Sequence, residues 1–206
     1  DGQVRLKLES FAITTNNVTY AATGFVIGYW KFFPSGVEGK GIVPVLGVAR
    51  VAESRCEDLP KGTRLYGFYP MGEELILAPE QSAPGVFVDS SAQRSDLALV
   101  FTTYVFVRDG AVDADYKRAL LRPFLVTSYL RFDWLSDNDW CGAEQIIIGS
   151  ASSKTGLGLC KFLAEPETRP YRIVGLTSEI NRGFVESSCA CDQVLSYDEI
   201  EKLALV

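Results

Sequence analysis

The sequence predicts a β-rich N-terminal part followed by the first strand–helix–strand–helix–strand half of a doubly wound α/β sheet. Three observations carry this. Short β-type runs cut by Gly and Pro fill the first hundred residues, helical spacing sets in near residue 116, and apolar runs then alternate with helix-like segments. The chain therefore reads as two parts, 1–115 and 116–206.

Gln3-Val-Arg-Leu-Lys-Leu8 alternates sides as a half-buried strand does. Ile42 to Val51 is a longer apolar stretch, broken by Pro44 and Gly47. Gly62–Gly67 and Glu74–Leu77 are two further strand candidates, and such short strands with Gly and Pro turns predict a small barrel or sandwich rather than helices. From Tyr116 to Ser136 the apolar residues fall at helical intervals, with Pro123 placing the main helix at about Arg122 to Leu135. Gln145–Gly149 is too short for a helix and suits a strand buried on both faces. Residues 154–164 carry Leu157, Cys160, Leu163 and Ala164 on one helical face. Tyr171–Leu176, Asn181–Ser188 and Gln193–Ser196 then read as strand, short helix and strand. Only 66 residues, Cys141 to Val206, make up this half sheet, so its remaining strands are expected from a longer chain or a partner.

At 47% hydrophobic and 22% charged residues, the 206-residue chain has the balance of an ordinary soluble globular protein. A net charge of −6 argues against a nucleic-acid partner, because phosphate binding needs clustered Lys and Arg. No apolar run approaches the ~20 residues that cross a bilayer, and no signal-like segment opens the chain, so no membrane partner and a cytoplasmic location are expected. The five cysteines, at 56, 141, 160, 189 and 191, are odd in number and widely spread, which predicts free thiols. With no histidine and no clustered Cys pairs, no metal site is expected, and a Ser-His-Asp triad is excluded within this chain.

The segment Ile148-Gly-Ser-Ala-Ser-Ser-Lys-Thr-Gly-Leu-Gly158 lies between a strand and a helix, where a nucleotide loop belongs. Small residues let backbone N–H groups approach a pyrophosphate, and the helix N-terminus adds partial positive charge. Ser150, Ala151, Ser152, Ser153, Lys154, Thr155 and Gly156 are the candidate contacts. The alternative is a plain strand-to-helix turn with Ser and Thr as caps. A P-loop is a weaker competitor, since the Gly-to-Lys spacing is one residue short, and the strict GxGxxG fingerprint is also missing. At the end of the second strand stands Thr177-Ser-Glu-Ile-Asn-Arg182. Hydroxyls plus a guanidinium suit a ribose 2′-phosphate better than a diol, which favours NADPH over NADH, with Thr177, Ser178, Asn181 and Arg182 as contacts. Glu179 is a competing ribose acid, and a capped helix start is the plain alternative.

Pro44, Gly47, Val51 and Gly62-Thr-Arg-Leu-Tyr-Gly67 resemble the chaperonin-ten-like barrel that precedes a Rossmann domain in medium-chain dehydrogenase/reductases. Phe11–Tyr20, Gly28–Pro34, Tyr66–Met71, Ser150–Thr155 and Gly175–Ser178 together resemble an uncharacterised, zinc-free branch of that superfamily. Gly47-Val48-Ala49 stands where zinc members carry Gly-His-Glu. The resemblance implies catalytic-cleft roles for Asn17 and Tyr20, and places Thr127 near the nicotinamide. It implies an NADPH-dependent, zinc-independent oxidoreductase passing hydride to a carbonyl or activated C=C bond (quinone, enone or enoyl type). The substrate would be a small, apolar or aromatic molecule, and a homodimer would form through a part of the fold outside this chain. A nucleotide-binding or redox-sensing module without turnover is the alternative, and a P-loop ATP-binding protein a third. The run Tyr29-Trp-Lys-Phe-Phe33 reads either as a loop closing a ligand cleft or as core packing, and Asn16-Asn17 also reads as a turn pair.

Overall fold

Alternation along β1 (Val4–Ala12) buries Val4 and Leu6 and turns Arg5 and Lys7 to the other face. The computed structural model describes residues 2–108 and 110–203, and the chain divides into two units, Asp1–Leu120 and Leu121–Val206. Beyond β1, the first unit holds α1 (Thr15–Ile27), β2 (Pro44–Ser54), β3 (Arg64–Pro70), β4 (Glu74–Leu77), β5 (Pro79–Ala83), β6 (Val86–Asp89), α2 (Leu99–Thr102) and β7 (Thr103–Phe106). Its seven strands form one antiparallel sheet in the order β4-β1-β2-β3-β7-β6-β5. The two outermost strands, β4 and β5, are joined by Ala78 alone, so the sheet curls back on itself as a barrel-like layer. Asp89 accepts the Ala78 N–H at 2.8 Å, and the Ser90 N–H and hydroxyl both donate to the Ala78 carbonyl at 2.9 Å.

In the stretch Ile42–Val51 the strand β2 begins at Pro44, which marks a break as expected, but runs on through Gly47 without one. Its glycine marks a close approach instead: a Cβ on Gly47 would stand 2.3 Å from the Ser10 carbonyl, and one on the facing Gly67 2.2 Å from the Tyr104 ring. Every residue of β3 is buried. Leu65 and Tyr69 join Val4, Leu6, Val45 and Tyr104 in the main core, while Phe68 enters an aromatic cluster with Phe32 and Phe33.

A helix-free N-terminal part was also expected, and α1 corrects it. Thr14 caps this helix and Gly28 ends it in the left-handed conformation, at φ 82°. The Trp30 ring fills space next to Gly24 and Gly41, where a Cβ would come within 2.2 Å of it.

Two arginines of this unit, Arg64 and Arg94, are buried with ionic partners. Arg64 meets Glu9 at 2.6 Å and also Asp115. Arg94, 2% exposed, pairs with the fully buried Asp89 at 2.7 Å, donates to the Tyr104 hydroxyl at 3.0 Å and lies over the Phe33 ring. Burial raises the pKa of both the Tyr69 and the Tyr104 phenol. A raised folded-state pKa leaves stability intact below the ordinary phenol value of about 10 and removes it as pH rises further. In an alkaline titration followed by tyrosinate absorbance, two of the nine tyrosines are expected to ionise only as circular dichroism is lost.

The helix α3 (Val112–Asp137) begins ten residues before its expected start and runs through Pro123. Asp113 and Asp115 favour its positive N-terminus, and Pro123 removes one backbone bond within it without ending it. In the second unit follow β8 (Gln145–Ile148), α4 (Lys154–Ala164), β9 (Arg172–Thr177), α5 (Arg182–Ser188) and β10 (Gln193–Ser196). The strands are parallel, in the order β10-β9-β8. Central β9 is buried from Ile173 to Thr177, whereas β8 sits at the edge with Ile147 42% exposed, so the burial on both faces expected of β8 is found at β9 instead. Among the described residues, no helix is long and apolar enough to cross a membrane.

Candidate functional site

In a parallel sheet, ligands gather at the C-terminal strand ends, where backbone donors and helix N-termini converge. Here those ends carry Ser150 after β8, Thr177 and Ser178 at β9, and Ser196 and Tyr197 at β10. Ser150 takes a left-handed conformation, φ 51°, rare for a residue with a Cβ, and so turns the loop sharply out of β8. Its N–H donates to the Tyr197 hydroxyl at 2.9 Å, and its own hydroxyl lies 3.0 Å from the same oxygen. Ser152 is the hub of the rim. Its hydroxyl accepts from Thr177 at 3.1 Å and from the Asn181 amide at 3.4 Å, and Asn181 also donates to Ser178 at 3.0 Å.

The remaining loop residues divide by role. Ser153 is the N-cap of α4, with its hydroxyl accepting the Gly156 N–H at 3.0 Å, so the capping alternative holds at this position. Ala151 is fully buried and gives its N–H to the Leu176 carbonyl at 2.9 Å, which removes it from the set of phosphate donors. Gly156 works by closeness: a Cβ there would stand 2.5 Å from the Ser150 carbonyl oxygen. The Lys154 and Thr155 amides, in the first turn of α4, have no acceptor within the helix. The Lys154 ammonium lies 5.3 Å from the centre of the Phe124 ring.

Two expected contacts need correction or refinement. Thr127 is exposed, and its hydroxyl donates back to the Pro123 carbonyl at 2.9 Å. The neighbouring Ser128 is the residue of α3 that reaches the loop, donating to the Thr155 carbonyl at 2.8 Å beneath Gly158. Its signal in the sequence was a small polar residue on the helix face opposite a helical glycine. Arg182 does not stand open for a phosphate, because it is paired with Glu199 and, at 3.2 Å, with Glu179. Glu199 also accepts the Ser196 N–H at 3.2 Å. Tyr197 and Glu199 were not anticipated; they lie beyond the third strand, outside any recognised spacing.

In the first unit, Asn17 is buried and sits third in α1 rather than in a turn. Its side-chain oxygen accepts the Thr14 N–H at 2.6 Å and its amide donates to the Pro44 carbonyl at 2.8 Å, so it pins the helix to β2. Tyr20 is half-buried, with its ring 4.3 Å from Tyr29 and 6.0 Å from Phe68. Burial, with Tyr29 beside it, raises its pKa and keeps the phenol protonated. The run Tyr29–Phe33 is mainly packing: Phe32 and Phe33 are each 5% exposed. Val48 and Ala49 are fully buried and offer no side-chain donor atom to a metal.

All five cysteines are free, as expected, but three of them are not scattered. Cys160, Cys189 and Cys191 converge behind the loop. Burial pushes the Cys189 thiol up to about 11, hydrogen bonding to Cys191 and burial push Cys160 up, and hydrogen bonding from Cys160 holds Cys191 below the ordinary thiol value.

Residues 11–206 match the family described as "Protein of unknown function (DUF2855)". The chain belongs to that family. No curated protein matches it. Its fold is that of CurA from Vibrio vulnificus, solved with NADPH, at TM-score 0.58 and 10% identity over 98% of this chain and 50% of that one. The quinone oxidoreductase of Thermus thermophilus matches at 0.52 and 12%, over 98% and 53%. The mycobacterial Rv1454c, complexed with NADPH, matches at 0.51 and 16%, over 95% and 50%. At these identities the likeness is one of fold: a chaperonin-ten-like β layer followed by part of a Rossmann sheet, as the sequence implied. The chain spans about half the length of the solved chains it matches.

Proposed function

We propose that this family member acts as a zinc-independent, NADPH-dependent reductase of a carbonyl or activated C=C substrate. The observation that carries this reading is the hydroxyl- and amide-lined rim at the ends of three parallel strands, closed by the N-terminus of α4. Solved proteins of the same fold bind NADPH, and the rim suits that group. The Lys154 and Thr155 N–H groups, the Ser152 hydroxyl and the Lys154 ammonium would hold the phosphates. Ser178, Asn181 and Arg182 would hold the ribose side, with Arg182 shared between Glu199 and the ligand. When bound, the dinucleotide supplies hydride. Tyr20, protonated and set among aromatic rings, would donate a hydrogen bond to an apolar or aromatic substrate, with Asn17 as the residue that positions its helix.

Fluorescence titration of the intact protein is expected to show NADPH binding more tightly than NADH. No binding of either up to millimolar concentration would refute the reading. Glu199→Gln, which removes one of the two ion pairs of Arg182, is expected to widen the preference for NADPH by about tenfold, the worth of one charge-assisted hydrogen bond.

A further inference from the structure

Cys160 lies within α4, Cys189 ends α5 and Cys191 precedes β10. Their three sulfurs nonetheless lie within 4.8 Å of one another, with Cys160 and Cys191 3.5 Å apart. Three sulfurs each bonded at ~2.3 Å to one zinc-sized ion are separated from each other by about 3.8–4.0 Å, so the triangle is close to the size that such an ion requires. Cys160 is fully buried while Cys189 and Cys191 are partly exposed, which gives the triangle a closed back and a reachable face.

The surroundings suit an anionic centre. Arg169 pairs with Asp192 at 2.5 Å through one nitrogen, while its buried Nη1 has no hydrogen-bond partner. Asp192 follows Cys191 directly, and the Arg169 charge acts on the Cys191 sulfur. The other Asp192 oxygen accepts the Ile173 N–H at 2.7 Å, so both oxygens are engaged and the ligand set ends with the sulfurs. Thiolate ligands without imidazole or carboxylate select soft, thiophilic ions. An unspent guanidinium donor beside them offsets the negative charge that three thiolates accumulate.

We propose that Cys160, Cys189 and Cys191 form a three-thiolate site for one soft d10 cation, of the zinc(II) or copper(I) class. Each sulfur forms a bond to the ion and loses its proton to solvent, with no change in oxidation state. In the metal-free protein Cys189 donates to the Ala151 carbonyl at 3.8 Å, a weak S–H contact that the bond to the ion would replace.

The test is titration of the reduced, metal-stripped intact protein with cadmium(II) alone. The expected result is a thiolate-to-cadmium charge-transfer band that saturates at one equivalent, together with a higher melting midpoint. The band is expected to vanish at one equivalent in Cys189→Ser/Cys191→Ser; where that variant fails to fold, Cys189→Ala alone is expected to bind more weakly with a reduced band. Arg169→Gln is expected to keep the full band and bind about 10- to 100-fold more weakly. No band in the parent protein, or a band undiminished in the cysteine variants, overturns the proposal. So does a Cys160–Cys191 disulfide in air-equilibrated protein whose reduced form takes up no cadmium.

Discussion

Arg94→Met is expected to lower the stability of the N-terminal unit by about 3–5 kcal/mol, measured by chemical denaturation. The magnitude comes from what stays behind. Asp89 has no exposed side-chain surface and would keep its charge with its ionic partner gone. The Tyr104 hydroxyl, which donates to the Phe68 carbonyl at 2.8 Å, would lose the donor on its other side. Methionine fills much of the arginine volume, so the loss reports the uncompensated charge rather than a void. Replacing both partners, Asp89→Leu with Arg94→Met, is expected to recover part of the loss. Recovery stops short because Asp89 also accepts from Ala78 and from the Ser91 hydroxyl, at 2.7 Å. A double-mutant cycle separates the two contributions.

Gly156→Val is expected to weaken NADPH binding by about 10- to 100-fold, equivalent to the roughly 1–3 kcal/mol of an overpacked site. The atoms that its Cβ would meet are backbone: the Ser150 carbonyl oxygen at 2.5 Å and the Ala151 Cα at 2.9 Å. Backbone cannot swing aside as a side chain can, so the loop must move relative to the first turn of α4 and its free N–H groups. Isothermal titration against NADPH reads the effect, and a melting curve distinguishes it from general unfolding. Unchanged affinity in a folded variant would show that the loop does not hold the phosphates.

Elements whose burial follows their own periodicity were legible to the residue: α4, β10 and β4 have the bounds that pattern alone assigns. The helix α1 was not, because only Asn17 and Gly24 are buried in it while Val18, Phe25, Val26 and Ile27 are exposed. Its apolar residues trace no inward face, and the local signal was the reciprocal cap between Thr14 and Asn17. Polar β5, with four of its five residues exposed, carried no strand pattern either; its neighbour β6 places it. At the site, loop position and the cluster of small residues were readable. Which hydroxyls face outward was not, since that depends on Ala151 and Ser153 being claimed by Leu176 and by the helix cap. Contacts among distant segments were beyond reach: Tyr197 on Ser150, Glu199 on Arg182, and the meeting of Cys160 with Cys189 and Cys191.

The single residue between β4 and β5 has a consequence for how the N-terminal unit resists opening. Edge strands ordinarily fray independently and present unpaired amides to other chains. Here the two edges are consecutive in the chain, and Ala78 between them is bonded at both its N–H and its carbonyl. Peeling either edge pulls on the other through that residue. Amide hydrogen exchange at residues 74–77 and 80–83 should therefore share one opening free energy, a seam that yields as a unit rather than strand by strand.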